Sequence, residues 1–345
     1  MSRVFVAGLG AVSPAGWTVA AMRQALEAGQ PLPTQPLEQR RDKPLLARLV
    51  PNLTVRPDFL SHPRLRRASA ITHYCASAAL EALSAWRKSC PEHSRLGLIV
   101  CLQSGCVQYS CRFYDEALKN PATASPLVFP ETVYAAPASH VAALLENVTL
   151  VNSLVGDPSA FLQSVSLAAQ WLAEDRVDVC LVVGAEETNW ITADALWHLD
   201  RAASISAGAG ALCLCREPEL SIGVELTAIT DAHTYSAEKG RAQAASAMRH
   251  QLNGALPDAA RELLCDGISN GARADAPEIS AWRDWQGQRL SPKRILGEGL
   301  MAAAAWQCVA ACDAVASRRF NAATVSLVGF NQQAIGAKFQ SIAAK

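Results

Sequence analysis

The chain is short of several features, and each shortage excludes something. Among its 345 residues, Lys and Arg number 31 and Asp and Glu 31, so the formal net charge is zero. No basic run or basic face stands out, which argues against an electrostatic nucleic-acid binder. The densest basic cluster is Arg64, Arg66 and Arg67, which reads as a solvated surface. Apolar runs are short and interrupted, so no transmembrane helix is expected. The first residues, MSRVFVAGLGAV, lack the long apolar stretch and small-residue cleavage site of a secretion signal. The expected compartment is the cytoplasm. The eleven cysteines are then free thiols rather than a disulfide framework. No Cys-x-x-Cys pair occurs; Cys213 and Cys215, and Cys308 and Cys312, lie in strongly apolar segments as small buried hydrophobes. Neither a metal nor a cofactor is expected. The most telling gap is local, because no cysteine lies between Cys111 and Cys180.

What is present is an alternation of buried strands and helices. Residues 3–8, 96–102, 177–183 and 209–215 read as strands; LGLIVCL, at 96–102, lacks the period-two alternation of a half-exposed strand, as expected when both faces are covered. Residues 18–28, 69–89, 132–145 and 158–173 read as helices, and 31–58, rich in proline and charge, as loop. From Leu220 the pattern restarts, with strands at 222–229 and 324–328 and helices at 236–256 and 300–315. Strands alternating with helices predict an α/β architecture in which sheets lie between helical layers. Two halves that each open on an apolar strand suggest a duplicated unit, divided here as residues 1–218 and a shortened 219–345.

The segment TLVNSLVGDPSAFLQSVSLAAQWLAEDRVDVCLVVGAEE, from Thr149 to Glu187, runs strand, tight Gly-Asp-Pro turn, helix, strand. This layout resembles the nucleophile segment of the β-ketoacyl-acyl-carrier-protein synthases, condensing enzymes of the thiolase fold. Further matches follow in family order: VAGLGAVSPAG at the start, SPLVFPETVYAAPASHVA from Ser125, SAGAGALCLC from Ser206 and LVGFNQQA from Leu327. The resemblance implies a layered αβαβα fold made of two pseudo-repeated halves.

Position by position, it also implies that the chemistry is gone. A condensing enzyme needs a thiolate to take the acyl chain and two histidines to stabilise the enolate formed on decarboxylation. The cysteine position falls on Pro158, or on Asp157 with a one-residue shift; Asp157-Pro158 reads as a helix start, with the aspartate as cap. The first histidine position falls on Ser269 or Asn270, with Asp275 and Glu278 keeping the acidic spacing that follows it. The second falls on Glu298, with Lys293 matching a family lysine upstream. Ser153, Ser159 and Ser164 lie near the turn without an identifiable base. His140 matches a non-catalytic family histidine; His73 and His198 read as structural, and His233 as a residue that lines a cavity.

A ketosynthase fold without its cysteine resembles the chain-length factor, the ketosynthase β-subunit of type II polyketide and polyene systems, including those for aryl-polyene pigments. That resemblance implies pairing with an active ketosynthase as a heterodimer, and contact with acyl carrier protein. It places the strand with Val151 and Ser153 on the dimer axis. Thr132, Val133, Tyr134 and Ala138 then lie where side chains close the partner's acyl tunnel, or else in the plain core. Two other readings stay open: an enzyme using Asp157, Glu298 or Ser269 in a rearranged site, and a scaffold that recruits carrier protein without shaping a tunnel.

Overall fold

The structure is a computed structural model that describes residues 3–37, 45–88, 94–236, 238–252, 261–330 and 332–342. Five strands of the first half lie in the order Val148–Val155, Leu96–Leu102, Val179–Glu186, Gly208–Cys215, Val4–Val12. The second half continues the same sheet outward as Val224–Ile229, Gln333–Ser341, Ala322–Val328, Glu262–Cys265, Gln288–Leu290. Read outward from the centre, each half has the same pairing pattern: two antiparallel pairs followed by two parallel ones. This is the duplication that the restart at Leu220 suggests. The halves join where Val4, Phe5 and Val6 pair with Leu226, Glu225 and Val224.

The runs without period two are buried on both faces. Ile99 and Cys101 face one apolar cluster, while Leu98, Val100 and Leu102 face another; Cys180 and Val182 divide from Val179, Leu181 and Val183 in the same way. The first cluster is the middle layer, supplied by Val19–Ala28, Ala160–Ala173 and Met301–Ala316. The second lies under the outer helices Ala70–Trp86 and Ala136–Leu145. A third cluster packs Glu238–Leu252 and Ala272–Ala281 on the second half. The result is five layers, αβαβα.

Met301–Ala316 is buried along nearly its whole length and is apolar apart from Gln307 and Asp313. That is the composition of a helix enclosed between the two halves of the sheet. Its Trp306 indole donates to the carbonyls of Val12 and Ala209, both at 3.0 Å, which fixes the helix to two central strands at once.

Some elements depart from the sequence reading. The stretch 31–58 contains two short strands, Gln35–Pro36 and Leu46–Arg48, which form a small sheet with Ile205–Ser206. The helix expected over 132–145 is a 3-10 turn, Phe129–Thr132, then extended backbone at Val133, then Ala136–Leu145. Of the helix expected over 236–256, residues 238–252 are helical; 253–256 lie outside the described residues. Among the described residues, no helix is long and apolar enough to cross a membrane.

Candidate functional site

The strand Val148–Val155 ends in the Gly156-Asp157-Pro158 bend, and the helix proper starts at Ala160. Asp157 caps a 3-10 turn ahead of that helix: its carbonyl accepts from Ala160 N at 2.9 Å. Its side-chain Oδ1 accepts from Ser159 N at 3.1 Å and from the Ser159 hydroxyl. The sequence predicts Asp157 at the N-cap and Pro158 at N1; the structure puts Ser159 at the N-cap, and Asp157 closes the bend two residues upstream of the regular helix. The sequence did not disclose what takes up the second oxygen. Asp157 Oδ2 accepts from Gln332 N at 3.2 Å, and Gln332 Oε1 accepts from Asp157 N at 3.3 Å. A Cβ at Gly329 would stand 1.8 Å from Oδ2, so only glycine fits against this carboxylate. Asp157 is thus a buried staple between the Gly156-Asp157-Pro158 bend and the LVGFNQ turn. Both of its oxygens are engaged.

Glu298 is engaged as completely. Lys293 Nζ lies 2.7 Å from its Oε2, with both side chains buried. Oε1 accepts from Leu300 N at 2.9 Å, the amide of a residue at φ 49°. Leucine in this left-handed region is strained, and the carboxylate holds that backbone where the central helix begins. The main chain of Glu298 bridges the small sheet, donating to Ser204 O at 2.8 Å and accepting from Ser206 N at 2.9 Å. Sequence reading noted Lys293 and Glu298 separately. Their pairing was not visible because the chain turns through Gly297, at φ 96°, between them.

Lys293 also places its ammonium 5.6 Å from the centre of the Phe330 ring. Phe330 follows Gly329, the residue packed on Asp157. Asp157 and Glu298 are therefore connected through the turn at 329–330 and Lys293. Ser269 and Asn270 sit on a neighbouring loop. There Asp275 accepts from Ser269 N at 3.0 Å, the Ser269 hydroxyl at 3.2 Å and Asn270 N at 2.9 Å. Glu278 accepts from Gly267 N at 3.1 Å and from the Ser326 hydroxyl. The acidic pair that kept its spacing in sequence thus holds the loop from below. Burial pushes Glu278 up to about 8. Ser291, two residues before Lys293, donates to Asp266 at 2.5 Å and anchors the same loop.

Several of the described cysteines are held away from thiolate character. Cys101, on the strand beside the bend, is fully buried with its Sγ 2.9 Å from Ser164 Oγ, and burial pushes it up to about 12. Burial does the same to Cys106 and Cys215, and drives Cys180 and Cys308 higher still. A nucleophilic cysteine needs the opposite shift. Ser159 lies against Asp157 but is wholly buried. His73 contacts Leu65 O at 2.9 Å, and buried His140 contacts both Glu131 oxygens at 2.9 and 3.0 Å. His198 departs from expectation: its side chain is largely exposed, 3.9 Å from Asp194. His233 pairs with Gln251 at 3.0 Å. Among the described residues, no cluster of three or more His, Cys, Asp or Glu side chains is placed to hold a metal ion.

The strand before the bend stands open. Val148–Val155 ends the sheet, paired on one side with Leu96–Leu102 and on the other with no described strand. Val151 and Val155 are 46% and 50% exposed, and Ser153 is half-buried. Thr132 is half-buried, Val133 and Tyr134 are exposed, and Ala138 lies in the core under the first sheet. Leu127, Phe129, Tyr114 and Leu118 add exposed apolar surface on the elements around that turn. Helix Val107–Lys119, which carries the last two, has no fully buried residue.

The chain matches no protein-family model and no curated protein. Solved structures do match it along its length. A β-ketoacyl synthase from Burkholderia phymatum superposes with a TM-score of 0.80 at 16% identity, covering 99% of this chain and all of that one. The ishigamide ketosynthase/chain length factor gives 0.78 at 18%, with the same coverage. The ketosynthase ApeO in complex with its chain length factor ApeC, from Xenorhabdus doucetiae, gives 0.79 at 13%, covering 99% and 98%. The five-layered, duplicated fold of this chain is the thiolase-type fold of ketosynthases and chain length factors.

Proposed function

We propose that the chain is a catalytically silent ketosynthase-like subunit that pairs with an active β-ketoacyl-acyl-carrier-protein synthase and shapes the tunnel in which that partner elongates an acyl or polyene chain. The observation that carries this reading is the state of the bend at Asp157. In place of an exposed thiol there is a buried carboxylate whose two oxygens are consumed by Ser159 and Gln332. The Glu298 position supports it. A carboxylate tied to Lys293 and Leu300 N has no hydrogen to donate to an enolate oxygen, and its charge opposes one.

Pairing is supported by the open strand. An eight-residue apolar edge with exposed Val151 and Val155 is what natural sheets avoid leaving unprotected. A partner strand added there would extend the sheet across both subunits. Residues 1–218 and 219–345 act in this reading as the two halves of one unit. Val133 and Tyr134, exposed in the free chain, would reach the partner's tunnel, and their bulk would set the number of carbon units that fit, a steric decision. Acyl carrier proteins are acidic, and exposed Arg64, Arg66 and Arg67 are the surface offered to them.

The test is co-expression with a ketosynthase that has its cysteine and both histidines. A stable 1:1 complex whose product lengths shift when Tyr134 is replaced is the expected outcome. An acyl adduct on the isolated chain, detected by intact-mass spectrometry after incubation with acyl-loaded carrier, would instead establish an enzyme with a rearranged site.

A further inference from the structure

Two buried carboxylates lie apart from the bend at Asp157. Glu186 ends the strand Val179–Glu186 and Glu187 follows it, each 1% exposed, and among the described residues neither meets a lysine or arginine side chain. Glu186 accepts from Gln103 N at 2.5 Å and Ser104 N at 3.1 Å. Glu187 accepts from Gln108 N at 2.7 Å and from Ile71 N at 3.1 Å, amides in the first turns of helices Val107–Lys119 and Ala70–Trp86. Burying carboxylates without a countercharge is costly. What they supply is geometry, since each oxygen pair fixes two backbone amides that no apolar side chain could hold.

The backbone they fix is the loop 103–108, gripped at both ends. In its middle is Gly105, at φ 68°. On Gly105 rests the ring of Tyr134: a Cβ there would stand 2.7 Å from Tyr134 Cε1. Tyr134 is 44% exposed, yet its segment is anchored all round. The Ser110 hydroxyl donates to Thr132 O at 3.5 Å, the Cys106 thiol approaches Val133 O at 3.9 Å, and Ala136 N donates to Val133 O at 3.0 Å. Glu131, in the turn just before, is clipped to His140 at 2.9 Å. An exposed aromatic on so fixed a base has already given up its freedom before any partner arrives.

We propose that Glu186 and Glu187 are positioning residues: through the 103–108 loop and Gly105 they fix the Tyr134 ring, and so set the length of the chain that the paired complex makes. This rests on the reading that Tyr134 faces the partner's tunnel. The test uses the complex with the co-expressed ketosynthase and compares Glu186→Gln, Glu187→Gln, Tyr134→Ala and the double variant Glu187→Gln/Tyr134→Ala. Glutamine keeps the size and one good acceptor but turns an NH2 toward a backbone N–H. Each glutamine variant should pair normally and change the ratio of the two main product lengths by about twofold or more, in the direction that Tyr134→Ala does. The double variant should match Tyr134→Ala alone, because the carboxylate acts through the ring; a generic structural role would add to it.

Wild-type lengths from both glutamine variants, or a double variant displaced beyond Tyr134→Ala, would overturn the proposal. Should either glutamine variant fail to fold, Gly105→Ala moves the ring without touching the carboxylates and must shift lengths the same way; wild-type lengths from it count against the proposal equally. If no complex forms with the wild-type chain, it is the pairing reading that fails. If a complex forms and elongates but ignores all these changes, pairing stands and the positioning role falls.

Discussion

The bend at Asp157 and the strand leading into it are neighbours in sequence and opposites in bonding. At the bend every oxygen is matched, by Ser159 and Gln332, and the connected Glu298 is matched by Lys293 and Leu300 N. Along Val148–Val155 one whole row of backbone groups and the side chains of Val151 and Val155 face no described partner. The duplicated fold offers an internal control. The equivalent edge of the second half is Gln288–Leu290, three residues long, with Gln288 and Arg289 exposed. Short, polar, charged edges are the usual protection against unwanted pairing. One edge is blunted and the other left open, and the open one is the edge the proposed pairing would use. The proposed function uses both ends: the closed site withholds chemistry and the open edge receives the partner.

The comparison can be broken from either side. The largest effect is expected at the closed end. Lys293→Met leaves a carboxylate buried without its cation, and stability in urea should fall by about 3–5 kcal/mol. Adding Glu298→Gln should recover most of that loss; equal instability of the single and double variants would show that the pair contributes no more than packing. At the open end, Val151→Lys places a charge in the proposed strand pairing. It should weaken the complex on the order of 100-fold by calorimetry, whereas Gln288→Lys on the blunted edge should leave affinity unchanged. Equal loss from both would remove the distinction between the edges.

A pH series sharpens the picture. Burial raises Glu186 to about 8 and Glu187 to about 7 from an ordinary value of 4.5. The folded chain therefore holds protons that the unfolded chain has released. Their contribution is complete below about pH 4.5 and is lost as pH rises through 7 to 8, at up to about 1.4 kcal/mol per pH unit for each group. Urea midpoints should decline over this window, and the decline should flatten in Glu186→Gln/Glu187→Gln; an unchanged slope would assign it elsewhere. The smallest effect is Asp157→Ala, a lost cap and a lost clasp, at about 1–2 kcal/mol. No elongation activity should appear in it.

Much of the fold was legible because burial on both faces erases period two: LGLIVCL and the run ending in Gly-Ala-Glu-Glu could hardly be anything but covered strands. That Asp157-Pro158 opens the turn into a helix was legible for a local reason, since the hydrogen bonds from Ser159 span two residues, while the cap itself falls on Ser159. What escaped was non-local. Nothing in the sequence says that Asp157 meets Gln332, 175 positions away, or that Gly297 folds Glu298 back on Lys293. The 132–145 stretch read as one helix because its residues suit one. The structure interrupts it at Val133, and that interruption leaves Tyr134 over Gly105. Glu186 and Glu187 did leave a signal: two consecutive acids closing an otherwise apolar strand must be buried with it, and buried carboxylates need donors. The residues supplying those donors, Ile71, Gln103, Ser104 and Gln108, became visible once the chain was folded.

The most direct test is an elongation assay with malonyl- and acyl-loaded carrier proteins, run on the purified chain alone, on the partner ketosynthase alone and on the two together. The account predicts no elongated product from the chain alone, and product from the mixture with a length distribution that the partner by itself does not give. Elongated product from the chain alone would contradict it.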